Sequence, residues 1–93
     1  MEIHGYALAP KIMIEQRRPI LYMYREEPDD IYDSGWRFFS GEESDEFVNN
    51  PENIGLYDVS TVASLYPYVR PFLTFPAHSI LERNDDNSQF CLL

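Results

Sequence analysis

Cysteine is nearly absent. Cys91 is the only one in 93 residues, so no internal disulfide can form and a framework of bridges is excluded. That usage fits a reducing compartment. Lysine is equally scarce: six of the seven basic residues are Arg, and Lys11 is the lone Lys. Those seven bases face sixteen acids, for a formal net charge of −9. A surface of that sign repels phosphate backbones and anionic lipid, so neither nucleic acid nor membrane is an expected partner. Glycine is sparse too, and four scattered residues cannot build a phosphate-cradling loop. No apolar run approaches the roughly 20 residues that span a bilayer. The opening Met1-Glu2-Ile3-His4 lacks the basic start and long apolar core of a signal peptide. The expected location is the cytoplasm.

The same scarcity bears on catalysis. His4 and His78 lie far apart and Cys91 is near the end, which leaves no zinc spacing and a poor Cys–His pair. The loop Asp29-Asp30-Ile31-Tyr32-Asp33 clusters carboxylates that would hold Ca²⁺ weakly, but it lacks the ordered spacing and closing Glu of an EF-hand. Asp33-Ser34-Gly35-Trp36 is not the G-x-S-x-G elbow of hydrolases. With so many acids, no single carboxylate pair is informative. The expectation is a chain with no catalytic residues, no metal and no cofactor.

What the sequence does have is aromatics: six Phe, seven Tyr and one Trp, within a hydrophobic content of 44%. That is enough apolar area to offset the entropy of ordering a small chain. Ninety-three residues fit one domain, 1–93, in which 84–93 reads as a tail. Ala7–Gln16 reads as a short helix opening after Pro10, or as a strand over Lys11–Glu15. Ile20–Arg25 is short, apolar and aromatic, which suits a buried strand. Asp33-Ser34-Gly35 carries a turn signature. Trp36–Ser40 makes a second strand, with Trp36 and Phe38 on one face and Arg37 and Phe39 on the other, pairing with the first as an antiparallel hairpin. Ser44 is a natural N-cap, with Asp45 and Glu46 in the first turn and Asn49-Asn50-Pro51 as the stop. Ile54–Val59 reads as irregular or strand-like. Ser60 caps a helix over Thr61–Tyr66. Tyr68–Pro76, interrupted by Pro71, reads as packed loop or edge, and His78–Arg83 as a last strand. The predicted class is α+β: a small antiparallel sheet of three to four strands with two to three short helices.

The acids are concentrated. From Glu26 to Asp58 there are eleven, and the neighbouring bases are Arg25 and Arg37. The two arginines are expected to pair with Glu26, Asp33 or Glu42 and hold the hairpin loop. Glu26, Glu27, Asp29, Asp30, Asp33, Glu42, Glu43, Asp45 and Glu46 are the candidate partner-binding residues. If the hairpin loop and the Ser44 helix start lie close together, these acids, Asp33 apart, form one anionic patch that steers a cationic protein. Trp36 is expected in the core.

Three blocks resemble a known family: Met23-Tyr24-Arg25-Glu26-Glu27-Pro28, Asp33-Ser34-Gly35-Trp36-Arg37-Phe38-Phe39-Ser40-Gly41-Glu42-Glu43, and Asn53-Ile54-Gly55-Leu56-Tyr57-Asp58. They are similar to the DUF2185, or Imm33-like, immunity protein domain. Pro76-Ala77-His78-Ser79 with Glu82-Arg83 resembles the family's closing segment, where Gly is more usual at the position of His78. The likeness runs from about Ile20 to Arg83. It implies a bacterial cytoplasmic protein that binds and neutralises a toxin domain, a basic one fitting the acidic surface. It carries no catalytic residues. The alternative reading is a non-catalytic regulatory or small-ligand-binding module, with a pocket between the aromatic strand and the proline-rich segment.

Overall fold

The computed structural model describes residues 5–85 and 88–93. His4, and residues 86–87 within the polar stretch that begins at Asn84, lie outside the described residues. Strand β1 (Tyr6–Pro10) runs directly into helix α1 (Lys11–Glu15). Strands β2 (Tyr22–Arg25) and β3 (Asp33–Phe39) follow, then helix α2 (Asp45–Val48) and a 3-10 turn at Pro51–Asn53. Strand β4 (Ile54–Asp58), helix α3 (Val59–Leu65), a 3-10 segment at Pro67–Phe72, and strands β5 (Ile80–Glu82) and β6 (Cys91–Leu92) complete the chain.

Among the described residues the strands form one sheet in the order β4-β1-β3-β2-β5-β6. The α+β class and the short helices are as predicted. The sheet is larger than the three to four strands expected, and it is mixed: β1 and β3 are parallel, and the other neighbours are antiparallel. Two strands escaped the sequence reading for physical reasons. Ala7, Ala9 and Pro10 are poor strand formers by composition, yet Ala7 and Ala9 are fully buried, and their small side chains suit a position beneath packed helices. Cys91–Leu92 is only two residues long and exists as a strand because it pairs with Leu81 and Glu82.

The β2–β3 hairpin forms as expected, with Tyr22 opposite Phe39 and Tyr24 opposite Arg37. Asp33-Ser34-Gly35 is not a turn, however; it is the buried first half of β3. The bend lies just before it, where the Asp33 N–H donates to the Asp30 carbonyl at 3.2 Å. Helix α1 opens after Pro10, which displaces the strand alternative for Lys11–Glu15. Helix α3 starts at Val59 after Asp58, earlier than a Ser60 cap would put it. The Ser44 cap is present: the Phe47 N–H donates to its Oγ at 3.1 Å.

One face of the sheet supplies Ala7, Ala9, Met23, Trp36, Phe38 and Leu81 to the core. Met13 and Ile14 of α1 pack on it, as do Val59, Val62 and Ala63 of α3 and Tyr66, Val69 and Leu73 beyond it. The Trp36 indole N–H donates to the Leu73 carbonyl at 3.1 Å, so the large ring is buried without an unmet donor. The prolines of the 67–72 segment fit a 3-10 turn that needs few N–H donors. With the helices on that side, alternation along β2 and β3 turns Tyr22, Tyr24, Arg37 and Phe39 to the opposite face.

Candidate functional site

The block that carries the family likeness is built as a brace. Asp33 is 6% exposed and Arg37 2%. The guanidinium meets the carboxylate through two parallel bonds, Nη1 to Oδ1 at 3.0 Å and Nη2 to Oδ2 at 2.9 Å. The same carboxylate accepts from the backbone N–H of Asp29 at 2.9 Å and of Gly35 at 2.8 Å. Bidentate geometry and two further donors are what a buried ion pair needs to offset desolvation. The Arg37 hydrogen bonds hold the Asp33 carboxyl down at about 2, against a desolvation that pushes it up. Arg37 Nε donates to Glu26 at 2.9 Å, and its pKa is raised chiefly by Asp33. The expected pairing of Arg37 with Asp33 and Glu26 is therefore present. Arg25 does not share it. Its guanidinium donates to the carbonyls of Ser34 at 3.0 Å and Phe75 at 2.7 Å and stacks over Trp36 at 5.7 Å.

Gly35 completes the brace. It sits at φ +86°, and a Cβ there would overlap the Glu26 carbonyl oxygen, so only glycine lets the chain pass. Ser34 Oγ donates to the Tyr6 carbonyl at 2.7 Å and accepts from the Trp36 N–H at 3.1 Å. Asp33, Ser34, Gly35 and Arg37 are thus committed to holding β1, β3 and the acidic loop together, while the Trp36 side chain anchors the core. Asp33, counted among the candidate partner-binding residues, faces inward and is corrected to a residue of this brace.

The remaining acids fall into two groups. Glu26, Glu27, Asp29 and Asp30 lie exposed on the β2–β3 loop. Glu26 also braces Arg37, Glu27 approaches His78 Nε2 at 3.3 Å, and Asp30 accepts from the Tyr32 N–H at 2.8 Å. The tip of this loop presents Ile31 and Tyr32, 90% and 70% exposed. The carboxylates of this loop are not gathered into a metal-holding group, since among the described residues no three potential ligands come together in that way. Glu42, Asp45 and Glu46 lie exposed around the start of α2, where the helix dipole favours acids. Glu43 is half-buried and occupied: it accepts from the Ser40 N–H and Oγ and from the Gly41 N–H at 2.6–3.1 Å.

Between the groups lies the outer face of β2. A groove of about 790 Å³ is lined by Tyr22, Tyr24 and Phe39 along its floor, with Glu42, Glu43 and Asp45 on one side and Glu82 on the other. A second hollow of about 490 Å³ is lined by Tyr24, Glu26, Glu27, Asp29 and His78. Tyr24 belongs to both, so the two acidic groups flank one aromatic side chain. Tyr24 stacks on Phe39 at 5.9 Å and tilts against Tyr22 at 5.6 Å. Burial, then Glu26 and Tyr22, push its hydroxyl pKa up. The sequence reading assigned this strand to the interior and missed its aromatic face. The signal was the alternation Tyr22-Met23-Tyr24, in which only Met23 is fully buried.

The family model of the Imm33 immunity protein domain matches residues 7–92. The chain belongs to the Imm33 family. No curated protein and no solved structure matches it. Two features of the Imm33 likeness now have a physical basis. The Asp33–Arg37 block is a folding brace. His78 has φ +74°, a left-handed backbone that an L side chain adopts at a cost of about 1 kcal/mol and glycine adopts freely, which is consistent with the glycine that the resemblance leads one to expect there.

Proposed function

We propose that this chain is a non-catalytic immunity protein that works in the cytoplasm, binding and neutralising a toxin domain through an acidic surface. The observation that supports this most directly is the placing of the exposed acids Glu26, Glu27 and Asp29 on one side of Tyr24 and of Glu42 and Asp45 on the other. The toxin face that fits is basic. Carboxylates spread over that distance steer such a partner, while Ile31 and Tyr32 offer apolar anchors beside them. The groove also has the volume of a small-molecule site. It opens broadly to solvent, which favours a segment of a protein surface over an enclosed ligand.

The test is co-purification of the chain with the toxin encoded beside its gene, together with protection on co-expression. A stable complex and rescued growth are expected. No complex and no protection would overturn the reading.

A further inference from the structure

Acidity alone does not select a partner, but the groove adds chemistry that acidity lacks. Its floor is three aromatic rings, and Tyr22 and Tyr24 remain half-buried, with part of each ring facing the opening. Its rim carries Glu42 and Asp45 from the start of α2 and Glu82 from β5, directly opposite Tyr22 across the strand pair. The base among the lining residues, Arg83, has its Nε on the Ile20 carbonyl at 2.8 Å and its guanidinium over the Tyr68 and Phe90 rings at 4.0 and 5.0 Å. Its guanidinium is thus already engaged by its own chain. A planar cation with an apolar stem matches rings below and carboxylates at the sides. Guanidinium does so better than ammonium because it stacks flat on a ring and meets a carboxylate with two parallel donors.

We propose that the Tyr22–Tyr24–Phe39 groove takes an arginine side chain from a surface loop of the protein partner. This rests on the immunity reading, and it adds a chemical criterion for the toxin: an exposed arginine central to its contact face. In contrast to the loop acids, which act at a distance, the groove acts on contact and so sets the rate of dissociation.

The experiment is a titration of the ¹⁵N-labelled full chain with acetyl-Gly-Arg-Gly-amide, and with the matched Lys peptide, followed by amide shifts. Shifts confined to Tyr22, Tyr24, Phe39, Glu42 and Asp45 are expected, with the Arg peptide about threefold tighter than the Lys peptide. The Tyr24→Leu variant, which keeps apolar bulk without the tyrosine ring, should lose that preference. The exposed pair Glu42→Gln and Asp45→Asn should weaken both peptides while leaving the fold intact. Equal affinity for the two peptides, or shifts centred on residues 26–32, would overturn the proposal. A toxin that binds the parent and Tyr24→Leu chains equally leaves the immunity reading standing and removes the groove. A toxin that binds neither removes the immunity reading itself.

Discussion

Asp33 shows how a single side chain can be prominent in sequence yet absent from the surface. Its pairing with Arg37, two residues past Gly35, was legible from charge and spacing. Its burial was not, because that depends on the acidic loop folding back so that the Asp29 N–H reaches the carboxylate. Asp33 titrates at about 2 in the folded chain, against 3.8 for an unperturbed aspartate carboxyl. The folded value is the lower, so the stabilisation is present above about pH 4 and is lost as pH falls toward 2. It amounts to about 2 kcal/mol. Asp33→Asn leaves the buried Arg37 charge with Glu26 alone and should cost about 3 kcal/mol at pH 7. Urea denaturation at pH 7, and again between pH 5 and 2, would check both parts: the variant should be less stable and show a shallower loss in acid.

At the scale of elements, legibility followed local chemistry. The hairpin of β2 and β3 was readable because aromatic and apolar residues alternate there, and α2 because Ser44, Asp45 and Glu46 announce a helix start. The strand β1 was not, since Ala-Leu-Ala-Pro has no strand preference of its own and is extended because β3 and β4 flank it. The last strand depends on similar support. Phe90, one residue before β6, packs against Phe72 at 5.5 Å and Tyr68 at 6.3 Å and lies under the Arg83 guanidinium. Residues that read as a polar tail therefore end in a packed edge. Phe90→Ala should destabilise the chain by about 1–2 kcal/mol, less than a fully buried Phe because the ring is half-exposed. An unchanged urea midpoint would show that this edge contributes nothing to stability.

Over the whole molecule, the net charge of −9 is a statement about encounters. Attraction between exposed charges is screened beyond about 8 Å at physiological ionic strength. Association with a basic toxin domain should therefore slow as salt rises, while dissociation changes little. The structure also indicates which acids to alter. Glu26 and Asp33 hold Arg37, so reversing them would damage the fold. Glu27, Asp29 and Asp30 make the cleaner charge-reversal variant, and stopped-flow association with the toxin should show an on-rate reduced about tenfold at low salt. An on-rate independent of both salt and these three acids would exclude the loop as a steering surface.

Composition by itself determined the absence of internal disulfides, the sign of the charge and the α+β class, because these depend on residue counts and local patterns. The family likeness was also legible, since it rests on contiguous blocks. Tertiary structure decided which acids face outward, that β1 lies between β3 and β4, and that Tyr22, Tyr24 and Phe39 share an open face. Those properties arise when residues distant in the chain meet: Tyr6 with Ser34, Tyr22 with Glu82, Tyr24 between two acidic segments. Local spacing carries no record of such meetings, because the helices that cover one face of the sheet decide which residues remain on the other.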